Sequence, residues 1–228
     1  SANPPILIFS PARRVRDNTT KHTLENVMET KEVGISIVTE SMAQQVSLSS
    51  CEFKKEINEF EKAGFTAIKS EEINAYCVKE SPINFECRVN DIISLGKNGG
   101  SGNLVICEII KIHICDSILD NQNNIDPLKL MPVARLGGNW YSKITKESLF
   151  SIPKPISKIG IGIDQLPESI KKSTVFTSGD LALLAGIKEI PKKKEKNLKK
   201  EENTIQKHIL SKKLLSEGKI QEAWEILL

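Results

Sequence analysis

A dense group of cationic and hydroxyl side chains follows the first apolar run of the sequence. The stretch ARRVRDNTTKHTLEN, residues 12–26, carries three arginines, a lysine and a histidine among threonines and asparagines. Such side chains bind anions, and the free N–H groups at the start of a helix add to that binding. The composition therefore predicts a phosphate site where a strand leaves its sheet and a helix begins. A solvated basic loop is the competing interpretation, and the residue types alone favour neither.

Apolar periodicity indicates the elements that would position this segment. PPILIFS predicts a central strand, TLENVMETK a helix with Thr23 as its N-cap, and EVGISIVT a second strand. Two further short helices are predicted by ESMAQQVSLSS and by EINEFEKAG, which Gly64 closes. From residue 75 the pattern changes to strands, and the glycine-rich KNGGSG predicts a hairpin between the last two. The whole is typical of an α+β fold with antiparallel strands of barrel-like length.

Length and charge restrict the class of protein. The 228 residues suit one large domain, or one domain with a helical appendix. A net charge of +3, from 32 basic and 29 acidic residues, argues against a general nucleic-acid binder. The lysines of residues 192–213 are interleaved with glutamates, which is more typical of a solvated helix face or linker than of a binding site. No apolar run approaches the roughly 18 residues that a membrane helix needs, so no membrane partner is predicted.

The five cysteines bear on the cellular compartment. Their number is odd and no two form a C-x-x-C pair, which argues against a disulfide framework or a zinc site. The pattern predicts buried free thiols in a reducing cytosol. Since no basic-then-apolar leader precedes the first strand, the expected location is cytoplasmic.

Five segments, in order over residues 3 to about 150, resemble motifs of the flavin reductase-like, FMN-binding split-barrel family of the flavoprotein oxygenase type. They are NPPILIFSPARRVRDNTTKHTLENVMETKEVGISIVTE, SSCEFKKEINEFEKAGFT, SPINFECRV, GNLVICEIIKIHICD and VARLGGNWY. The chain departs from that pattern in four places, one of which is His22, where many relatives have an aspartate. It starts at the downstream end of the family's N-terminal segment, Cys107 replaces a glycine, and Ser36 and Ile37 stand where an asparagine is expected.

The resemblance implies a split β-barrel that binds FMN, usually as a homodimer. It implies an N-terminally incomplete FMN-binding domain over residues 1–155, and an extension over residues 156–228 made of a connector and a helical hairpin. The implied activity is hydride transfer from NAD(P)H to the flavin, which itself performs the redox chemistry. An FMN-binding electron carrier or sensor without turnover is the alternative. A third possibility is an adaptor that acts through residues 192–228.

The same resemblance implies the residues of the flavin site. Those expected to meet the 5′-phosphate are Ser10, Arg13, Arg14, Lys21 and Thr23, with Ser49 and Ser50 on the phosphate or the ribityl chain. Those expected at the far edge of the flavin or in the substrate pocket are Arg135, Gly137, Gly138 and Tyr141. The two glycines would let a flat ring approach the backbone, and a tight turn is the competing interpretation.

One histidine is a candidate for acid catalysis. His113 alternates with Lys111 and Cys115 along a predicted strand, and one face of that strand could line a pocket. A partly exposed barrel histidine is the interpretation that we favour. No catalytic residue and no metal ligand is therefore assigned from the sequence.

Overall fold

The computed structural model describes residues 1–152, 159–192 and 203–228. The chain forms two compact units, Ser1–Phe150 and Ser151–Leu228. The domain boundary predicted at residue 155 lies outside the described residues, as does the 193–202 part of the lysine-rich stretch. Helices and antiparallel strands are both present, so the predicted α+β class is confirmed.

The first unit contains eight described strands in three sheets. The strands are β1 (Ile6–Phe9), β2 (Glu32–Ser36), β3 (Ala67–Lys69), β4 (Tyr76–Val78), β5 (Ile83–Ser94), β6 (Asn103–Ile114), β7 (Val133–Gly137) and β8 (Trp140–Lys143). The main sheet is antiparallel, with the order β1-β6-β5-β2. The predicted central position of β1 is therefore wrong: among the described strands it lies at an edge, and Ile8 on it is exposed. The other two sheets are the hairpins β3–β4 and β7–β8. The long β5–β6 hairpin was predicted from its glycine-rich turn, and its two strands extend over twelve residues each.

Short helices connect these strands, and a helical group forms the second unit. The helices are α1 (His22–Thr30), α2 (Ala43–Ser49), α3 (Glu59–Ala63), α4 (Pro127–Leu130), α5 (Glu168–Lys171), α6 (Ser178–Ala185), α7 (Thr204–Ser216) and α8 (Ile220–Leu227). Gly64 ends α3 in the left-handed conformation, as predicted. The helices α7 and α8 agree with the helical hairpin expected near the end of the chain.

The predicted N-cap of α1 is wrong. Lys21 occupies that position, with extended backbone and no capping hydrogen bond from its side chain. Thr23 lies inside the first turn, because the Lys21 carbonyl already accepts the N–H groups of Leu24 and Glu25. The helix therefore begins two residues earlier than the threonine pattern indicated, and this places its start next to the basic stretch.

Helix α1 covers one face of the main sheet. Leu24 and Val27, three residues apart on one side of the helix, are buried in the same cluster as Cys87, Val105 and Cys107. Burial raises the pKa of the Cys87 thiol to about 12, so this thiol is neutral near pH 7.

The expectation of buried thiols holds for three of the five cysteines. Cys77, Cys87 and Cys107 are buried, whereas Cys51 and Cys115 are exposed. The two exposed cysteines lie where apolar periodicity ends, just after α2 and just after β6. All five are free thiols, as expected.

The hairpin β3–β4 lies over the opposite face of β2. A Cβ at Gly34 would stand 2.6 Å from the Tyr76 carbonyl oxygen and 3.0 Å from the Cys77 sulfur. The backbone atom cannot move aside as a flexible side chain could, so this crossing requires glycine. Gly34 thus sets the distance between the main sheet and the small hairpin.

The second unit has its own apolar core. Trp224 is fully buried, and its indole N–H donates to the Leu184 carbonyl oxygen at 3.1 Å. Other members of the core are Leu166, Ile170, Phe176, Ala185, Leu215 and Ala223. In the described part of the chain, no helix is long and apolar enough to cross a membrane.

Candidate functional site

The basic stretch folds against the turn of the β5–β6 hairpin. We call residues 11–21 the basic loop and residues 96–102 the glycine loop. The Arg13 N–H donates to the Ser101 carbonyl at 2.9 Å, and the Gly100 N–H donates to the Arg13 carbonyl at 3.0 Å. Side-chain amides add two more contacts, from Asn18 to the Lys97 carbonyl and from Asn103 to the Pro11 carbonyl, each at 3.0 Å. Backbone pairing therefore shapes the basic loop.

Two glycines allow this close contact, and sequence reasoning had assigned them only to the turn. A Cβ at Gly99 would lie 2.9 Å from the Val15 carbonyl oxygen, and one at Gly102 would lie 2.5 Å from Ser10 Oγ. Neither position tolerates a side chain without movement of a neighbour. The G-x-x-G spacing within residues 99–102 was the available signal, but the residues that it meets are more than eighty positions away in sequence.

The first two arginines of the basic loop hold the loop itself together. Arg13 donates through Nε to the Asn18 side-chain oxygen at 2.7 Å. Arg14 donates to the Thr19 hydroxyl at 3.1 Å and to the Thr20 carbonyl. Because both guanidinium groups are engaged in this way, they stabilise the turn that presents the rest of the loop.

Carboxylates compensate part of the positive charge. Glu52 lies 3.4 Å from Arg14 Nε and 2.8 Å from Arg16 Nη2. Arg16 also pairs with Asp17 at 3.2 Å. The hydroxyl and N–H of Thr19 lower the pKa of Asp17 to about 2, so this carboxylate is ionised near pH 7. Sequence reasoning had not assigned Glu52, which is 36 residues from its nearer arginine.

A third carboxylate lies at the start of α1. The Thr20 hydroxyl donates to Glu25 and lowers its pKa, while Lys55 stands 3.7 Å from the same carboxylate. We call the group of charges at this end of the sheet the basic corner. Its cations are Arg13, Arg14, Arg16, Lys21 and Lys55, and its carboxylates are Asp17, Glu25 and Glu52. Five cations and three carboxylates leave a net charge of +2 when His22 is neutral.

The start of α1 is the part of the basic corner where hydrogen-bond donors have no acceptor among the described residues. Among the described residues, none accepts a hydrogen bond from the N–H of His22 or Thr23, and none forms an ion pair with Lys21. The side chains of Lys21 and Thr23 are exposed. Unpaired N–H groups beside an ammonium form an anion-binding arrangement. The structure thus brings Ser10, Arg13, Arg14, Lys21 and Thr23 to one corner of the sheet, and their phosphate contacts remain a prediction.

The two predicted serines end α2. The hydroxyl of Ser49 donates to the Val46 carbonyl at 2.9 Å, and that of Ser50 donates to the Ser47 carbonyl at 2.6 Å. Each oxygen can still accept a hydrogen bond. The chain then reaches the basic corner through Glu52, two residues beyond Ser50. Their contacts with the phosphate or the ribityl chain remain a prediction.

The predicted far-edge residues lie on the hairpin β7–β8. Arg135 and Tyr141 are paired across the two strands, and Arg135 donates to the Gly138 carbonyl at 3.2 Å. Gly137 and Gly138 have φ angles of +105° and +53°, and a Cβ on either would meet nothing within 4 Å. The positive φ angles fit a tight turn that favours glycine, and the approach of a flat ring to these two glycines remains a prediction.

That hairpin is attached at the opposite end of the main sheet. The Val133 N–H donates to the Val38 carbonyl at 3.1 Å, and Lys143 pairs with Glu40 at 2.7 Å. Val38 and Glu40 follow the end of β2 that pairs with Asn84, whereas the basic corner adjoins Asn103. Among the described residues, no hydrogen bond or ion pair joins the hairpin to the basic loop.

A buried carboxylate on β5 was missed by sequence reasoning. Glu86 is fully buried and accepts the N–H groups of Glu71 at 2.9 Å and Glu72 at 2.7 Å. His113 Nε2 lies 2.5 Å from the same carboxylate, and Lys111 pairs with Glu71. Burial alone would raise the pKa of Glu86, but the two N–H groups and His113 lower it to about 2. This cluster fixes the turn that enters β4.

A β-bulge explains how His113 reaches that cluster. Glu86 pairs with Lys111, but the next residue, Cys87, pairs with Ile109, so Ile110 is the extra residue. The bulge reverses the alternation of β6, so that His113 shares the Glu86 side of the sheet. The His113 side chain is one-third exposed, which agrees with the partly exposed barrel histidine that we favoured.

Solved structures with a related fold were found. The chain has 28% identity to nitrilotriacetate monooxygenase component B from Bacillus cereus, with a TM-score of 0.61 over 67% of this chain and 74% of that one. It has 28% identity to a Shewanella frigidimarina protein described as a flavin reductase with a split barrel domain, with a TM-score of 0.57 over 68% and 73% of the two chains. A Pseudomonas fluorescens 2-nitrobenzoate 2-nitroreductase gives 25% identity and a TM-score of 0.57 over 67% and 72%. The predicted split-barrel fold is confirmed.

Sequence comparisons agree with the structural ones. An uncharacterised protein of Aquifex aeolicus is 36% identical over 140 residues, which are 61% of this chain and 69% of the relative. An uncharacterised protein of Halalkalibacterium halodurans is 32% identical over 157 residues, or 68% and 73% of the two chains. The model of the flavin reductase like domain matches residues 1–130, which contain the basic corner and the main sheet. The chain therefore belongs to the flavin-binding, oxidoreductase family defined by the flavin reductase like domain.

Proposed function

We propose that the protein is an FMN-dependent oxidoreductase that passes hydride from NADH or NADPH to its flavin, and that it acts as a homodimer in the cytoplasm. The observation that supports this most is the start of α1. There Lys21 and two backbone N–H groups that have no acceptor among the described residues stand at the end of a loop whose own arginines are already engaged. Because the chain belongs to a flavin-binding family, the anion proposed for this place is the phosphate of FMN.

The donor set fits a phosphate monoester. Such a group carries about −1.5 to −2 charges near pH 7 and accepts several hydrogen bonds, while the basic corner carries a net charge of +2. The Lys21 ammonium and the N–H groups of His22 and Thr23 would bind the phosphate oxygens. The hydroxyls of Ser10 and Thr23 would add donors. Arg13 and Arg14, which keep the loop in its shape, would direct their remaining N–H groups to the phosphate.

The protein's task in such a reaction is positioning. A bound flavin accepts hydride from a nicotinamide and passes electrons on. The chain must hold the phosphate in place, orient the two rings against each other and exclude water. No side chain is required as a general acid, and we propose none.

The positions of Arg135 and Tyr141 bear on the oligomeric state. Arg135 and Tyr141 lie on a hairpin attached to the opposite end of the sheet from the basic corner. For them to reach the flavin, as the family resemblance implies, a second copy of the chain would have to supply them. This agrees with a homodimer.

Absorbance spectra test the proposed function directly. The protein is mixed with FMN, freed of excess flavin and mixed with NADH or NADPH in the absence of oxygen. Rapid loss of the flavin absorbance band is expected with at least one nicotinamide. Retention of the band with both would favour the electron carrier or sensor, and absence of any bound flavin would contradict the proposal.

Replacing Lys21 tests the location of the phosphate. Lys21→Ala is expected to weaken FMN binding by about 1–3 kcal/mol, because a charge-assisted hydrogen bond to the phosphate is lost. Riboflavin, which lacks the phosphate, should bind equally to the wild type and the variant. Both affinities are measured by titration of flavin fluorescence.

Lys69→Ala is the matched control, since Lys69 is an exposed lysine on β3 away from the basic corner. It should change neither affinity. Equal FMN affinities in Lys21→Ala and the wild type would remove Lys21 from the site.

A further inference from the structure

Glu52 joins a largely buried arginine of the basic corner to an exposed one. Its carboxylate bridges two arginines, at 3.4 Å from Arg14 and 2.8 Å from Arg16. The Arg14 side chain is only 16% exposed, whereas that of Arg16 is 74% exposed and that of Glu52 is 52% exposed. Glu52 therefore stands between the inner part of the corner and its rim.

Arg16, the exposed arginine at the rim, already forms two ion pairs. Arg16 pairs with Asp17 at 3.2 Å as well as with Glu52, and both interactions raise its pKa. An anion approaching Arg16 from solvent would meet two carboxylates that share one guanidinium. The rim thus disfavours negative charge, whereas Lys21 and the start of α1 favour it.

We propose that Glu52 makes this site select flavins that end in a phosphate monoester, such as FMN, over flavins that continue through a diphosphate, such as FAD. The inference rests on the proposed function, because it takes the start of α1 as the place of the flavin phosphate. Glu52 acts here as a specificity residue that repels a second phosphate group, and it takes no part in hydride transfer.

The physical reason lies in how the two ligands end. A monoester concentrates its charge on one terminal group, which the donors at the start of α1 can bind. In a diphosphate a second phosphate lies beyond the first, and in this proposal it lies beside Arg16, the exposed arginine of the corner. There it would lie near the Glu52 carboxylate and would compete with it for Arg16. Binding of the longer ligand must therefore break existing ion pairs, and binding of the shorter one need not.

The test is a pair of titrations on the full-length protein. FMN and FAD affinities are measured by flavin fluorescence for the wild type, Glu52→Gln, Glu52→Asp and Glu56→Gln. In Glu52→Gln the FAD affinity is expected to rise about tenfold, and the FMN affinity to change less than about threefold, because one repulsive charge is removed from the rim. Glu52→Asp keeps the charge and should keep the preference of the wild type for FMN.

Glu56→Gln is the matched control, since it removes an exposed carboxylate from the same segment. It should leave both affinities unchanged. An equal rise for FMN and FAD in Glu52→Gln would show that Glu52 acts only through the net charge, and this would overturn the inference while leaving the proposed function intact. Binding of neither flavin by the folded wild type would overturn both. Circular dichroism of each variant confirms that it is folded, and Glu52→Ala, which removes the same charge and should raise the FAD affinity in the same way, replaces Glu52→Gln if that variant does not fold.

Discussion

Glu86→Gln is expected to destabilise the first unit by about 3 kcal/mol, because breaking a buried ion pair or hydrogen-bonded charge typically costs this much. The carboxylate accepts two backbone N–H groups, from Glu71 and Glu72, and contacts His113. An amide has only one oxygen. Its NH₂ group would face one of the two backbone N–H groups and could not accept a hydrogen bond from it. Urea unfolding at pH 7 measures the loss.

The same carboxylate makes stability depend on pH. The pKa of Glu86 is about 2 in the folded chain, against an ordinary value of 4.5. A carboxyl whose pKa is lowered by folding stabilises the folded state when it is ionised in both states. The contribution of Glu86 is therefore complete above about pH 4.5 and declines as the pH falls towards 2. In Glu86→Gln this part of the acid sensitivity should be absent.

Glu108→Gln is the control for both measurements. Glu108 is a half-buried glutamate on the neighbouring strand β6, and it is opposite Arg88 in the register. Its substitution should cost less than about 1 kcal/mol, as is usual for a partly exposed charge. If Glu86→Gln were as stable as Glu108→Gln at pH 7, the Glu86 cluster would not stabilise the turn before β4.

Trp224→Ala is expected to cost about 3–5 kcal/mol, the usual range for removal of a large aromatic side chain from a core. Trp224 is fully buried in the second unit and also donates a hydrogen bond to Leu184. This is a large part of the stability of a small domain. The second unit of the variant is therefore expected to be largely unfolded, as limited proteolysis would show.

The two tryptophans allow each unit to be followed separately. Trp140 is 77% exposed on β8 in the first unit, and Trp224 is buried in the second. In Trp140→Phe, which should be nearly as stable as the wild type, fluorescence reports on Trp224 alone. When this control is unfolded in guanidinium, the emission of Trp224 should begin at the short wavelength of a buried indole. It should move to longer wavelength as the second unit unfolds.

Flavin binding by this variant tests whether the flavin site lies entirely within the first unit. Every residue that we place in the flavin site lies within Ser1–Phe150. Trp224→Ala should therefore bind FMN with the affinity of the wild type even though its second unit is unfolded. A strong loss of FMN affinity would show that the second unit supports the flavin site, contrary to the proposal.

Local patterns in the sequence were sufficient for the class of the protein and for most of its elements. Helix α1 and the long β5–β6 hairpin follow from apolar periodicity and from the turn residues that interrupt it. These signals are short-range, because 3.6-residue and two-residue repeats are properties of neighbouring positions. The ordered motifs over residues 3 to 150 then led to the family, and the domain match over residues 1–130 confirmed it.

Only the tertiary structure decided how the basic stretch is used. The sequence placed cations beside the start of a helix, but their number did not reveal that Arg13 and Arg14 are engaged within their own loop. Nor did it show that Glu52 approaches from 36 residues away or that the glycine loop supports the corner. These contacts join segments that are far apart in the chain and depend on the register of strands β5 and β6, which no local repeat encodes.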